Sequence, residues 1–457
     1  MRLKTNLVIG LVFAGLLAFV LYDNKQEESK QAQEEEAKQL LQFTDSEIVR
    51  LTVDRGDTLI VLEQTQGTWS LAAPVQGEAD QDAVERYLRN IRETTRERVL
   101  EDSAAVAVDP AKGAQYQLQP PRLKVGLETA EGSLDSLYFG ADSPTETFVY
   151  MQMGGANRQI FTTRAWRFDN LDKGVFDLRD RRVLAFDKDQ MRQLSLLRGE
   201  DTFVLARDGE NNWVLQTGVE VATDKAAVDR LVNKLHGASI EAFIEEAPAA
   251  DDLGGYGLEP AGIEVSILLG EDRAEKKLYV GGAAGVNFFA LDSSRKPVFT
   301  IDSTLVNQLL VDAADLRDKQ PLDFDRQTVD RIELMRADGL LAATKDTASV
   351  WQITDPDVRE AKSWKLNTLL TDLEEVEVET FLGDEITDLA PYGLDQPYLT
   401  LRLFAASELA LEVHLQIDGD KANLTRSGSN SVYQVAGDVV TDLDLKLDDI
   451  AQPLPAD

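Results

Sequence analysis

A short turn motif that occurs three times limits this chain more than any other feature. It reads Tyr116-Gln117-Leu118-Gln119-Pro120 in its first copy and Tyr392-Gly393-Leu394-Asp395-Gln396-Pro397 in its last. The fullest copy, Asp251 to Pro260, contains Tyr256-Gly257-Leu258-Glu259-Pro260. Each copy stands between a helix-patterned segment and an apolar, strand-like run. A motif repeated with the same flanks implies one structural unit used three times. A length of 457 residues agrees with that count, since domains average roughly 150 residues.

The flanks align from Phe43, Phe186 and Phe324. Eight and ten residues on lie Leu51 and Val53, Leu194 and Leu196, and Ile332 and Leu334, the alternation of a half-buried strand. Glycine-bearing turns follow at Arg55-Gly56-Asp57, Arg198-Gly199-Glu200 and Asp338-Gly339, so each pair of strands reads as a hairpin. A tryptophan comes next in every copy, Trp69, Trp213 and Trp351, and is expected in the core. Fifteen residues after each begins a stripe at i, i+3, i+4 and i+7: Val84, Tyr87, Leu88, Ile91; Val228, Leu231, Val232, Leu235; Leu366, Leu369, Leu370, Leu373. That spacing places four apolar side chains on one helix face. Asp80 and Asp224 are expected N-caps, with Ser363 in the third copy. Beyond the turn motif the pattern returns to period 2, at Leu123 to Leu127, Ile263 to Leu269 and Leu399 to Phe404. The next strand carries Leu137-Tyr138-Phe139-Gly140, Leu278-Tyr279-Val280-Gly281 and, in the third copy, Leu415-Gln416-Ile417-Asp418-Gly419.

The expected fold class is α+β, three tandem modules each made of an antiparallel sheet packed with an amphipathic helix, preceded by a transmembrane helix. The boundaries read from the sequence are an anchor at 1–23, a charged tether at 24–42, modules at 43–185, 186–323 and 324–450, and a tail at 451–457. Two modules close on Leu178-Arg179-Asp180-Arg181-Arg182 and Leu316-Arg317-Asp318-Lys319-Gln320. The third closes on Leu445-Lys446-Leu447-Asp448-Asp449, without the basic cluster. Arg179, Asp180, Arg181, Arg317, Asp318 and Lys319 are therefore the candidate inter-module contacts, arginine being suited to paired carboxylates. A solvated helix end is the alternative for the same residues.

Leu7 to Tyr22 has no charged side chain, and Arg2 and Lys4 precede it. Its apolar body, Leu7, Val8, Ile9, Leu11, Phe13, Leu16, Leu17, Phe19, Val20 and Leu21, fits a membrane anchor or a signal peptide. No small-x-small pattern follows, which favours an uncleaved anchor. Basic residues before it and acidic ones after it set the N-terminus in the cytoplasm and the bulk outside, periplasmic where a periplasm exists. The tether, rich in Glu, Gln, Lys and Ala, reads as a spacer.

The hairpin with its tryptophan, the Tyr-Gly-Leu-x-Pro turn, the Leu-Tyr-x-Gly strand and the Leu-Arg-Asp-Arg/Lys closing phrase, behind one N-terminal anchor, resemble the bacterial family of domain of unknown function forty-three-forty. The resemblance runs from Phe43 to about Asp449. It supplies no catalytic residues. It implies a role beside an ABC-type envelope transporter, because genes of the family often lie next to a gliding-motility-type export system.

Composition narrows the chemistry. Against 47 basic residues stand 81 acidic ones, a formal charge of -34, which repels nucleic acid and anionic headgroups. The absence of cysteine removes disulfides, thiolate metal sites and thiol nucleophiles. The two histidines, His236 and His414, fall in different modules and read as a helix-end and a strand residue. The glycine runs at Gly254 and Gly281 lack the lysine and spacing of phosphate-binding loops. Asp442, Asp444, Asp448 and Asp449 offer oxygens for weak calcium binding but lack the glycine and terminal glutamate of an EF-hand loop, and read as a solvated acidic tail. No cofactor and no metal are expected. The leading expectation is a non-enzymatic, single-pass protein of the cytoplasmic membrane serving as accessory or scaffold to an ABC-type permease. An envelope-glycan or exported-polymer binding protein, with its site in grooves between modules, is the alternative, and a carboxylate-based hydrolase is a third reading.

Overall fold

The computed structural model describes residues 38–453 apart from 110, 135, 156, 157 and 217. The chain divides into two compact units, Met1–Arg181 and Arg182–Asp457. The first unit holds one antiparallel sheet and the second holds two. The expected anchor, Leu7 to Leu21, lies outside the described residues. Among the described residues no helix is long and apolar enough to cross a membrane.

The sheet of the first unit starts as a meander of Ile48–Asp54, Leu59–Thr65, Thr68–Ala73 and Gly77–Glu78. The helix α1, Gln81–Arg92, then carries the chain to the far edge, where Arg98–Glu101 is laid down. Leu123–Thr129 returns to the middle beside the first strand, and Leu137–Asp142, Phe148–Met153 and Ile160–Arg164 complete the sheet. Numbering strands within the sheet and leaving out the two-residue spur Gly132–Ser133, the spatial order is 4-3-2-1-6-7-8-9-5. In the second unit the same order recurs twice, around α2 (Lys225–His236) and α3 (Ser363–Glu374). Among the described residues each sheet carries its own large apolar core, with a small satellite cluster of Val106, Leu118 and Ile160 beside the first, as tandem modules require.

Burial follows the periodicity. All four stripe residues of each helix are buried, and each contributes about 1.5–3 kcal/mol by leaving water. Trp69, Trp213 and Trp351 are buried in their cores. Asp80 and Asp224 accept from the N–H groups of Ala83 and Ala227 as N-caps. Ser363 does not. Lys362 holds that position, and the Ser363 hydroxyl accepts from the Trp351 N–H.

Two features escaped the periodicity. A fifth strand, Ala242–Glu245 in the second sheet and Val378–Gly383 in the third, separates the helix from the turn motif. Each module also closes with a clasp: Arg179, Arg317 and Ala451 pair with Ala79, Thr223 and Ala361, the residue before each helix cap. In the second sheet the N–H of Asp224 donates to Leu316 at 3.0 Å and that of Asp318 to Ala222 at 3.0 Å. The third clasp therefore uses Ile450-Ala451-Gln452 rather than Leu445 to Asp449, and it includes two residues expected in the tail. At the other end, the carbonyl of Lys38 accepts from Arg96 and Leu41 joins the first core, so the last part of the expected tether belongs to the first module.

The turn motif needs one left-handed residue, held by Gln117 (φ 54°), Gly257 (φ 67°) and Gly393 (φ 70°). In the first two copies its tyrosine carbonyl lies against the seventh strand of the sheet. A Cβ on Gly281 would stand 2.3 Å from the oxygen of Tyr256, and one on Gly140 would stand 2.1 Å from that of Tyr116. Pairing of Leu399 with Leu415, as of Ile263 with Val280, makes Val413-His414-Leu415-Gln416 the third copy of Leu-Tyr-x-Gly, two residues before the expected segment. Gly281→Ala is expected to lower stability by about 1–3 kcal/mol, because a backbone oxygen cannot swing aside. Gly282→Ala, whose nearest atom would lie at 3.5 Å, should leave the urea midpoint nearly unchanged.

Candidate functional site

The seam between the second and third sheets begins with a linker bonded on both sides. Leu316 to Asp318 are bonded to the second sheet by the clasp, and the next carbonyl, that of Lys319, accepts from Val378 at 2.8 Å, at the start of the third sheet's fifth strand. Arg317 projects from this linker and is 8% exposed. Its Nη1 and Nη2 donate to Oδ2 and Oδ1 of Asp384 at 2.9 and 2.5 Å, and its guanidinium carbon stands 3.7 Å from the centroid of Phe381. Phe381 in turn meets the edge of Tyr433, and the Ser431 hydroxyl also donates to Asp384. A bidentate pair shielded from water fixes direction as well as distance.

A groove of about 530 Å³ runs along this seam. Glu220, Val221 and Ala222 of the second sheet's edge strand form one wall, and Phe324, Phe381, Tyr433 and Arg426 contribute to the other. Arg426 is the residue that sequence reasoning missed. No carboxylate lies within ion-pair distance of it among the described residues, and its Nε is shielded from solvent without a hydrogen-bond partner. Pairing puts Arg426 in the row of Leu424 and Tyr433, at the end of the core face. An arginine closing the strand Lys421–Arg426, in line with the core residues Ala422 and Leu424, was the available signal.

Arg179 and Asp180 are buried in the first unit, where the N–H of Asp180 donates to the carbonyl of Glu78. Arg181 lies over the ring of Phe176 at 4.7 Å. Asp318 caps the N–H of Gln320, and Lys319 faces Asp315 at 3.6 Å on the surface. His236 sits at a helix end against Phe186. Among the described residues no group of His, Asp and Glu has metal-ligand geometry.

The acidic tail reading needs correction at Asp444, which is half-buried and accepts from Arg336, from the Tyr398 hydroxyl at 2.8 Å and from Lys446 at 2.8 Å. Burial pushes its carboxyl up, but the bonds from Lys446, Tyr398 and Arg336 outweigh it and hold the group below the ordinary aspartate range. Glu412 behaves alike. Burial is outweighed by Arg402 and by His414, whose Nε2 donates to Oε1 at 3.0 Å.

A tandem array of helix-crossed antiparallel sheets, joined in its second unit by a bonded linker, is a repeat protein. The chain belongs to the family described as Domain of unknown function (DUF4340), whose model matches residues 69–212 and 213–397. No curated protein matches it. No solved structure matches it.

Two outcomes follow from this geometry. Arg317→Ala strands Asp384 beside an apolar ring, and breaking such a buried pair costs about 3–5 kcal/mol. Limited proteolysis should then cut between Gln320 and Phe324, where the parent resists, and Asp384→Asn should add little to Arg317→Ala. The depressed carboxylates of Glu412 and Asp444 stabilise the third sheet above the ordinary carboxylate range, and that contribution is lost as pH falls through their folded values. The urea midpoint should drop below about pH 4, and Asp444→Asn should flatten that drop.

Proposed function

We propose that the chain is a non-catalytic accessory or scaffold subunit of an ABC-type envelope transport complex, held in the cytoplasmic membrane by its N-terminal segment with the modules on the extracytoplasmic side. The observation that carries this reading is the Arg317–Asp384 seam. A linker hydrogen-bonded into both sheets gives two modules one fixed relation, which suits a part that holds other proteins in register. The charge of -34 keeps so large a surface hydrated and discourages self-association. The transporter itself enters through the family resemblance.

One feature favours a second reading, an envelope glycan or exported polymer bound in the seam groove. The unpaired guanidinium of Arg426, beside Ser429 and Ser431, offers donors to an acidic sugar.

Mild-detergent purification of the full chain, set against a version lacking residues 1–23, tests both. A permease and its ATPase recovered only with the anchored chain is the expected result. Recovery of carbohydrate with no protein partner, lost on Arg426→Ala, would replace the first reading by the second.

A further inference from the structure

The registers of the three sheets set the same two positions face to face where the opening hairpin begins and ends. Gln193 pairs with Ala206, so the residues one step further out, Arg192 and Arg207, stand opposite each other. The matching residues are Val49 and Gln64 in the first sheet and Asp330 and Lys345 in the third. The third sheet therefore sets a carboxylate against an ammonium where the second sets two guanidinium groups together. Like charges directly opposite on a sheet are destabilising. An anion held between them would remove that cost.

Both arginines reach the same residue. Arg207 donates through Nη1 to the carbonyl of Asn211 at 2.8 Å, and Nη1 of Arg192 lies 3.5 Å from the Asn211 side-chain oxygen. The turn that carries Asn211 is tied down by Asp208, whose Oδ1 accepts from the N–H groups of Glu210 and Asn212 at 2.9 and 2.7 Å. The guanidinium carbon of Arg207 stands 4.0 Å from the centroid of the Trp213 ring, which backs it. A groove of about 750 Å³ opens here, and Arg273, from the turn after Ile263–Leu269, lines it as well. Among the described residues no carboxylate comes within ion-pair distance of any of the three arginines. Of the two carboxylates in the lining, Asp208 is taken up by its turn and Glu271 is exposed. Burial makes Arg207 hold its proton less firmly than an ordinary arginine; Asp229, from α2, opposes this without forming an ion pair, and Arg192 adds to it.

We propose that the groove lined by Arg192, Arg207 and Arg273 binds the phosphate group of a small ligand, a phosphomonoester. Two guanidinium forks side by side match a doubly charged, tetrahedral oxyanion better than a single carboxylate. A phosphate monoester brings about -1.5 to -2 charges near pH 7 and three acceptor oxygens. The rest of the groove leaves room for the organic part of the ligand. No lining residue is shared with the seam groove, so the site is independent of Arg426 and of the scaffold reading.

The test titrates inorganic phosphate and glucose 1-phosphate into the full chain in mild detergent at low ionic strength, by calorimetry, with acetate as the singly charged control. One saturable site for both phosphates, with acetate far weaker, is the expected result. Arg192→Asp installs the residue that the third sheet carries at this position, and it should weaken phosphate binding about tenfold or more. The same change should abolish the rise in thermal midpoint that phosphate gives the parent. Without phosphate the variant's midpoint should equal or exceed the parent's, because Arg207 gains a carboxylate. Arg273→Ala should weaken binding too, whereas Arg426→Ala, in the seam groove, should leave it unchanged. Absence of saturable binding, binding that survives both Arg192→Asp and Arg273→Ala, equal affinity for acetate, or loss of binding on Arg426→Ala would overturn the assignment.

Discussion

The return of each module's closing segment to the residue before its helix is the contact on which the rest depends. A helix that crosses a sheet from one edge to the other leaves a two-residue or three-residue edge strand at its start, too short to hold alone. Bonding Leu316 and Asp318 to either side of Thr223 gives that edge a partner and fixes where α2 begins. Once the helix start is set, its stripe can register on the core face, and the fifth strand is delivered to the opposite edge. Both edges of the sheet are then tied to the linker: the fourth strand by one module's end, the segment after the helix by the stretch preceding its module. The same four residues that finish the second sheet begin the third, so intramodular folding and intermodular docking share one set of backbone bonds.

That economy explains the arginine. Arg317 is placed by the clasp, not by a helix or a strand of its own, so its guanidinium leaves the linker in a fixed direction toward the third sheet. Phe381 shields the pair from water on one side, which strengthens the Asp384 bond while raising the cost of losing either partner. Lys319, two residues later and equally basic, is solvent-facing and adds little. Position within the clasp, and not charge, separates the two.

How far this was legible in the sequence follows from the range of each interaction. The helices were readable because Val84, Tyr87, Leu88 and Ile91 repeat at helical spacing within one window, and the tryptophans because they precede the stripe at constant distance. The short fifth strands were not, since Ala242–Glu245 and Val378–Gly383 carry weak alternation and owe their state to the edge they join. In the third copy, Leu415-Gln416-Ile417 shows the same alternation as Val413-His414-Leu415 two residues earlier, an ambiguity built into any period-2 pattern. Only the pairing of Leu399 with Leu415 removes it. Arg317 could be singled out from its repeated phrase, whereas Asp384, 67 residues on, could not. Arg426 has no counterpart of its kind, as Asp292 occupies the matching row in the second sheet.

The family match adds a physical point about what the repeating unit is. Its two segments start at residue 69 and at residue 213, the tryptophan of the third strand, and the first runs on to residue 212, through the opening hairpin of the second sheet. A unit cut there is not a sheet. It is the back of one sheet, the closing clasp, the linker and the first two strands of the next, so the linker lies inside the unit and not at its border. Duplicating such a piece copies the clasp together with the strands it bonds, so a sheet and its closure are inherited as one segment. The clasp of the third sheet keeps these backbone bonds with Ala451 where the second has Arg317, so the closure itself does not depend on an arginine.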